Sequence, residues 1–139
     1  MPKCKVFSFV DDLIEVAPGA LSMRSLVGET MSIGVVKFQA PNALSLPVKE
    51  HAHGEEASLQ INGGCAVFQG VAGQPPDNEV QTGEGTVMIV PADQPHYGVN
   101  TYDAAGMCVR LNVVTPPRAD YGSKDAARVT YHPIEQTAR

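Results

Sequence analysis

The stretch HAHGEEASLQINGG, residues 51–64, holds two of the chain's four histidines one residue apart, with two glutamates behind them. Imidazole nitrogens and carboxylate oxygens are ligands for divalent transition metals. On a strand the side-chain period of two puts His51 and His53 on one face, where they offer two nitrogens to a single ion. A metal site needs three or four ligands, so this pair alone reads equally well as a polar turn. A turn at Gly54-Glu55 would let Glu56 begin the returning strand with its carboxylate back at the imidazoles. The residues that follow alternate: Ala57, Leu59 and Ile61 form an apolar face, while Glu56, Ser58 and Gln60 form a polar one. Gln60 shares the side of Glu56 and is a candidate for orienting a substrate, whereas Glu55 faces away into solvent. A further candidate ligand comes from GTVMIVPADQPHYGVN, residues 85–100, where His96 re-enters a strand after a proline-containing turn.

These side chains need strands to present them, and the chain is rich in strand signals. Short apolar or alternating runs at 5–10, 31–39, 57–61, 65–69, 86–90 and 107–114 are separated by Gly, Pro, Asn and Asp. Residues 11–16 read as a short helix capped by Asp11 or Asp12 and ended by Pro18-Gly19. Many short strands and almost no helix predict an all-β sandwich or small barrel. With 139 residues, 43% hydrophobic and 18% charged, the chain is expected to form one domain over 1–122, with 123–139 as an extension over the surface or a partner subunit.

The formal charge of −5 and the lack of a Lys/Arg cluster argue against a nucleic-acid partner. Lys3, Lys5, Asp11 and Asp12 interrupt any apolar run at the N-terminus, so neither a secretion signal nor a membrane span is expected there. Cys4, Cys65 and Cys108 are an odd, widely spaced set that fits reduced thiols in a cytoplasmic protein.

Taken together, residues 51–63 and 85–100 resemble the two motifs of the cupin superfamily. The second motif, G-x5-P-x-G-x2-H-x3-N, is matched at Gly85, Pro91, His96 and Asn100 with every spacing kept. Asp93 stands where the family has a turn glycine, a mild departure because Asp tolerates the left-handed conformation. In the first motif Gly63 follows Glu56 at the expected interval, but two residues separate His53 from Glu56 where the family has three or four, and Ser45 replaces the leading glycine. An ungapped alternative would put Ala57 at the ligand position and leave three histidines. It would also turn Ala57, Leu59 and Ile61 toward the cavity, so the alternation favours Glu56.

The resemblance implies a double-stranded β-helix, or jelly-roll barrel, often paired as a homodimer. It implies one divalent metal ion per chain, Zn, Fe, Mn, Ni or Cu, held by His51, His53, Glu56 and His96 with a position open to a small-molecule substrate. Arg110 alternates onto one face with Cys108 and Asn112, as a solvated or paired residue or as a holder of an anionic substrate group. Tyr97 is a further candidate at the cavity, as a catalytic residue or as core packing, and Tyr102 a candidate for substrate binding. His132 reads as a tail residue. VTPPRADYG, residues 114–122, is similar to the SPPR-x-D-Y ending of small cupins that open uronate rings, or of polyketide-cyclase type, and equally to a capping turn with Arg118 and Asp120 at the surface.

Three functions compete. The first is isomerisation, ring opening or cyclisation of a carbonyl or enol substrate, with the metal as Lewis acid. The second is an Fe-, Cu- or Ni-dependent dioxygenase acting on an enediol or catechol-like compound. The third is a non-catalytic, sugar-binding cupin.

Overall fold

The computed structural model describes residues 4, 6–17, 19, 21–38, 52–71, 73–101, 108–118 and 130–131. Ten strands run in chain order: β1 (Ile14–Ala17), β2 (Leu21–Val27), β3 (Ser32–Phe38), β4 (Glu55–Asn62), β5 (Cys65–Gln69), β6 (Asn78–Thr82), β7 (Val87–Val90), β8 (His96–Asn100), β9 (Cys108–Thr115) and β10 (Thr130–Tyr131). No helix occurs among the described residues, and so none is long and apolar enough to cross a membrane.

The larger sheet has the order β1-β2-β3-β9-β4-β7, with β10 parallel beside β2, and the smaller has the order β6-β5-β8. Every other pairing is antiparallel. Two antiparallel sheets packed in this way form the expected all-β jelly-roll architecture.

Register decides what enters the interior. Ser32, Gly34, Val36 and Phe38 of β3 lie beside Val114, Asn112, Arg110 and Cys108 of β9. The same row continues into β4, where Glu56, Ser58 and Gln60 pair with Val114, Asn112 and Arg110. Glu56, Ser58 and Gln60 are buried, whereas Ala57 and Leu59 are exposed on the opposite face. The alternation in the sequence therefore reads the two faces of β4 correctly, and Ala57 points away from the barrel interior. Phe38, Val90, Cys108 and Val114 supply apolar contacts around this polar strip.

Two local expectations are corrected. Residues 11–16 are not helical: the backbone makes one turn, with Asp12 N donating to Ser8 O, and then extends into β1. The β-branched Ile14 and Val16 favour extension, and Ile14, Glu15 and Ala17 find antiparallel partners in Met23, Ser22 and Leu21. Residues 6–10 are not a strand, because Ser8 Oγ accepts from the backbone N–H groups of Val10 and Asp11 and closes a turn. Residues 130–131, within the stretch expected as an extension over the surface or a partner subunit, form β10, which runs beside Ser25 and Leu26. Strands β2 and β6 were absent from the sequence reading, since Ser, Arg, Asn, Glu and Gln interrupt their apolar positions.

Candidate metal centre

Three side chains from three positions in the sequence converge inside the barrel. Glu56 Oε2 lies 2.9 Å from His53 Nε2 and 3.5 Å from His96 Nε2. The two imidazoles meet edge to face, with centroids 4.8 Å apart. Among the described residues, His53, Glu56 and His96 form the group that could hold a metal ion, with ligand atoms all within 4.8 Å of one another.

Two turns create this convergence. His53 precedes β4 and Glu56 is its second residue, so Gly54 and Glu55 make the change of direction. Gly54 sits so close to the end of β9 that a Cβ there would lie 2.1 Å from Thr115 O. The bare glycine lets the turn be two residues long and still bring Glu56 back to His53. His96 follows the turn from Pro91 to Pro95, in which Asp93 takes a left-handed φ of 61°. Asp93 N donates to His53 O at 2.8 Å, so the turn that launches His96 is tied to the backbone of the other histidine.

The imidazoles are oriented by their second nitrogens. His53 Nδ1 lies 2.8 Å from Gly54 O, and His96 Nδ1 lies 2.8 Å from Gln94 O. A carbonyl oxygen only accepts, so each Nδ1 carries a proton and each Nε2 is the nitrogen turned toward Glu56. Ser58 Oγ lies 2.8 Å from Glu56 Oε1 and also against Asn112 Oδ1, so its single proton serves one of two acceptors at a time. Two nitrogen lone pairs facing a carboxylate oxygen need a cation between them, either a proton or a metal ion. This donor set, with both histidines backed by carbonyls, fits a divalent transition metal.

The charges respond accordingly. Burial opposes ionisation of Glu56, but hydrogen bonds from His53, His96 and Ser58 and the positive charge of Arg110 outweigh it and hold its carboxyl well below the usual carboxylate range. Burial likewise disfavours a charged His53, yet hydrogen bonding to Glu56 and Gly54 and the charge of Glu56 raise it above its ordinary 6.5, against the opposing charge of Arg118.

The other sequence candidates separate. His51 and Tyr102 lie outside the described residues, as do Asp120 and His132. Gln60 is on the expected face but is 1% exposed. Its amide donates to Asn62 O at 2.8 Å and to Cys108 Sγ at 3.3 Å, closing the bulge between β4 and β9. Its donors are thus used by the protein rather than left for a substrate. Tyr97 is not brought to the group: it alternates to the face opposite His96 and stacks on Phe68 at 5.1 Å. Arg110 does point inward.

Ser58, Asn112 and Arg118 were not singled out for this site. Arg118 is half-buried, its backbone N donates to Ser32 Oγ, and its charge reaches His53. The PPRADY motif was the signal that could have placed it there. Ser58 and Asn112 could have been found from their shared alternation with Glu56 and Arg110.

No family model matches the chain, and no curated protein does. Solved structures match closely in fold. KdgF from Halomonas sp. aligns with a TM-score of 0.62 at 16% identity, covering 85% of this chain and 98% of that one. An RmlC-like cupin from Shewanella frigidimarina aligns at 0.63 and 17% identity, covering 87% and 99%. Oxalate decarboxylase from Bacillus subtilis, a protein with Mn(II) centres, aligns at 0.56 and 17% identity over 78% of this chain and 28% of its own. The chain has the cupin fold, and its His-Glu-His group stands inside that barrel.

Proposed function

We propose that the protein is a metal-dependent cupin enzyme acting on a small polar carbonyl or enol substrate by isomerisation, ring opening or cyclisation. The observation that carries this reading is the convergence of His53 Nε2, Glu56 Oε2 and His96 Nε2, each held by a second contact, on one point inside the barrel. These three residues would hold the ion, with His51 as the fourth ligand that the first motif supplies. A bound divalent metal supplies Lewis acidity toward the substrate oxygen. The protein's own residues set the geometry. The Gly54 and Gln94 carbonyls fix both imidazole tautomers, and Ser58 with Asn112 fixes the carboxylate plane. The resemblance of residues 114–122 to the ring-opening cupins supports this class over oxygen chemistry.

We further propose a cytoplasmic protein that works as a homodimer. Three free cysteines support the first, and an exposed apolar sheet face supports the second.

Elemental analysis of the purified protein, followed by titration with Zn, Mn, Ni and Fe(II), tests the reading. The expected result is one ion per chain, with Glu56→Ala weakening its affinity by more than roughly 100-fold, beyond the loss typical of outer hydrogen-bond partners. Failure to bind any of these ions at micromolar concentration would sink the proposal. Substrate-dependent oxygen uptake with an enediol would replace it by the dioxygenase.

A further inference from the structure

Arg110 places a positive charge inside the barrel that makes no direct ion pair with the metal group. It lies on the inner face of β9, opposite Val36 on β3 and Gln60 on β4. Its guanidinium crosses to the smaller sheet, where Nη1 is 3.5 Å from Cys65 Sγ on β5. On β8 it rests against Gly98, where a Cβ would come 3.2 Å from Nη2 and 3.4 Å from Nη1. Arg110 Nε is buried without a hydrogen-bond partner among the described residues, and none of their carboxylates makes an ion pair with this guanidinium.

A thiol sulfur is a weak acceptor, so Nη1 is only weakly answered, and the buried Nε has no partner among the described residues. Glu56 attracts Arg110 at a distance, but its own oxygens face His53, His96 and Ser58. The complement of such a fork is a planar oxyanion bound through two parallel hydrogen bonds. Gly98 is two residues from His96 on the same strand face, a separation of roughly 6–7 Å. That is the reach of a short-chain oxo acid.

We infer that Arg110 is the specificity-determining residue of this site, holding a carboxylate at one end of the substrate while the carbonyl or enol oxygen at the other end lies at His53, Glu56 and His96. The inference deepens the proposed function and rests on it for the second half of the contact. Gly98 belongs to the same device, since the missing side chain leaves the guanidinium room to lie between the sheets.

Calorimetry on the full-length, zinc-loaded protein with levulinate and its neutral amide, levulinamide, tests this. The acid should bind about tenfold more tightly than the amide, the contribution of charge-assisted hydrogen bonds. Arg110→Met should erase the difference while zinc affinity, titrated separately, stays unchanged. Arg110→Lys keeps the charge without the fork and should retain part of the preference. Should Arg110→Met fail to fold, Gly98→Ala crowds Nη2 with a methyl group and should weaken levulinate more than levulinamide. Equal affinities in the wild type, no binding of levulinate, an unchanged preference in Gly98→Ala, or a preference surviving Arg110→Met, which would put the carboxylate on the metal, would each overturn the inference. Zinc titration separates the two failures: an Arg110-dependent preference in a chain that binds no metal removes the proposed function and keeps the anion site.

Discussion

At the scale of single residues, the contact between His53 and Glu56 is where protonation and metal binding would meet. His53 Nε2 and Glu56 Oε2 are 2.9 Å apart, and a proton and a metal ion compete for the space between them. The depressed Glu56 carboxyl contributes stability above its ordinary 4.5, and this is lost as pH falls through its lower folded value. The raised His53 contributes stability that is full below its ordinary 6.5 and is lost as pH rises through its higher folded value. Metal-free protein should therefore be most stable between these two ordinary values and should lose stability above 6.5. Metal-loaded protein should lack that alkaline loss, because the ion replaces the proton. Thermal denaturation across pH, with and without zinc, checks both halves, and a metal-free protein that gains stability above pH 7 would contradict the protonated His53–Glu56 pair.

At the scale of elements, the shortened turn between His53 and β4 depends on close packing against the end of β9. A Cβ at Gly54 would meet Thr115 O, Thr115 C and Pro116 Cδ at 2.1, 2.6 and 2.7 Å, and two of these are backbone atoms that cannot rotate away. Gly54→Ala should force the start of β4 from β9 and cost about 1–3 kcal/mol, the usual cost of overpacking. Because His53 and Glu56 flank this residue, metal affinity should fall with stability. Chemical denaturation and zinc titration of the variant measure the two effects, and an unchanged metal affinity would show that the turn does not set the ligand geometry. Asp93 plays the corresponding part in the second turn. Its left-handed backbone stands where a glycine was expected, and its N–H reaches His53 O.

At the scale of the whole molecule, the outer face of β4, β7 and β9 is apolar and open. Ala57, Leu59, Val87, Ile89, Leu111 and Val113 line it, with Val87 at 78% and Ile89 at 60% exposure. Such a patch on a sheet whose outermost strand is the short β7 marks a surface for association. On the proposal of a homodimer, Val87→Lys combined with Ile89→Lys should convert the dimer to a monomer that still binds metal, because both side chains point away from the barrel interior. Light scattering with size-exclusion chromatography reads this directly, and a wild-type chain that is monomeric at high micromolar concentration would end the dimer proposal.

Much of this site was legible in the amino-acid sequence because strand periodicity and turn chemistry are local. Alternation from Glu56 to Ile61 assigned the two faces of β4, and the spacing from Gly85 to Asn100 located His96. Local rules failed where long-range pairing overrode them. Asp11 to Val16 looked helical until β2 offered their backbone a partner, and the polar strands β2 and β6 are held by sheet neighbours rather than by their own pattern. The side chains of Gln60, Tyr97 and Arg110 were also beyond local rules. Whether an inward or near-site residue faces a substrate, a bulge or a stacked ring depends on what the opposite sheet places against it. The sequence by itself pointed to a β barrel with His51, His53, Glu56 and His96 as its candidate ligand group. Tertiary structure alone decided that the two-residue turn at Gly54 returns Glu56 to His53, that Gln60 is consumed in closing a bulge, and that Arg110 lies against Gly98 with only a thiol for its Nη1, since each depends on contacts between residues far apart in the chain.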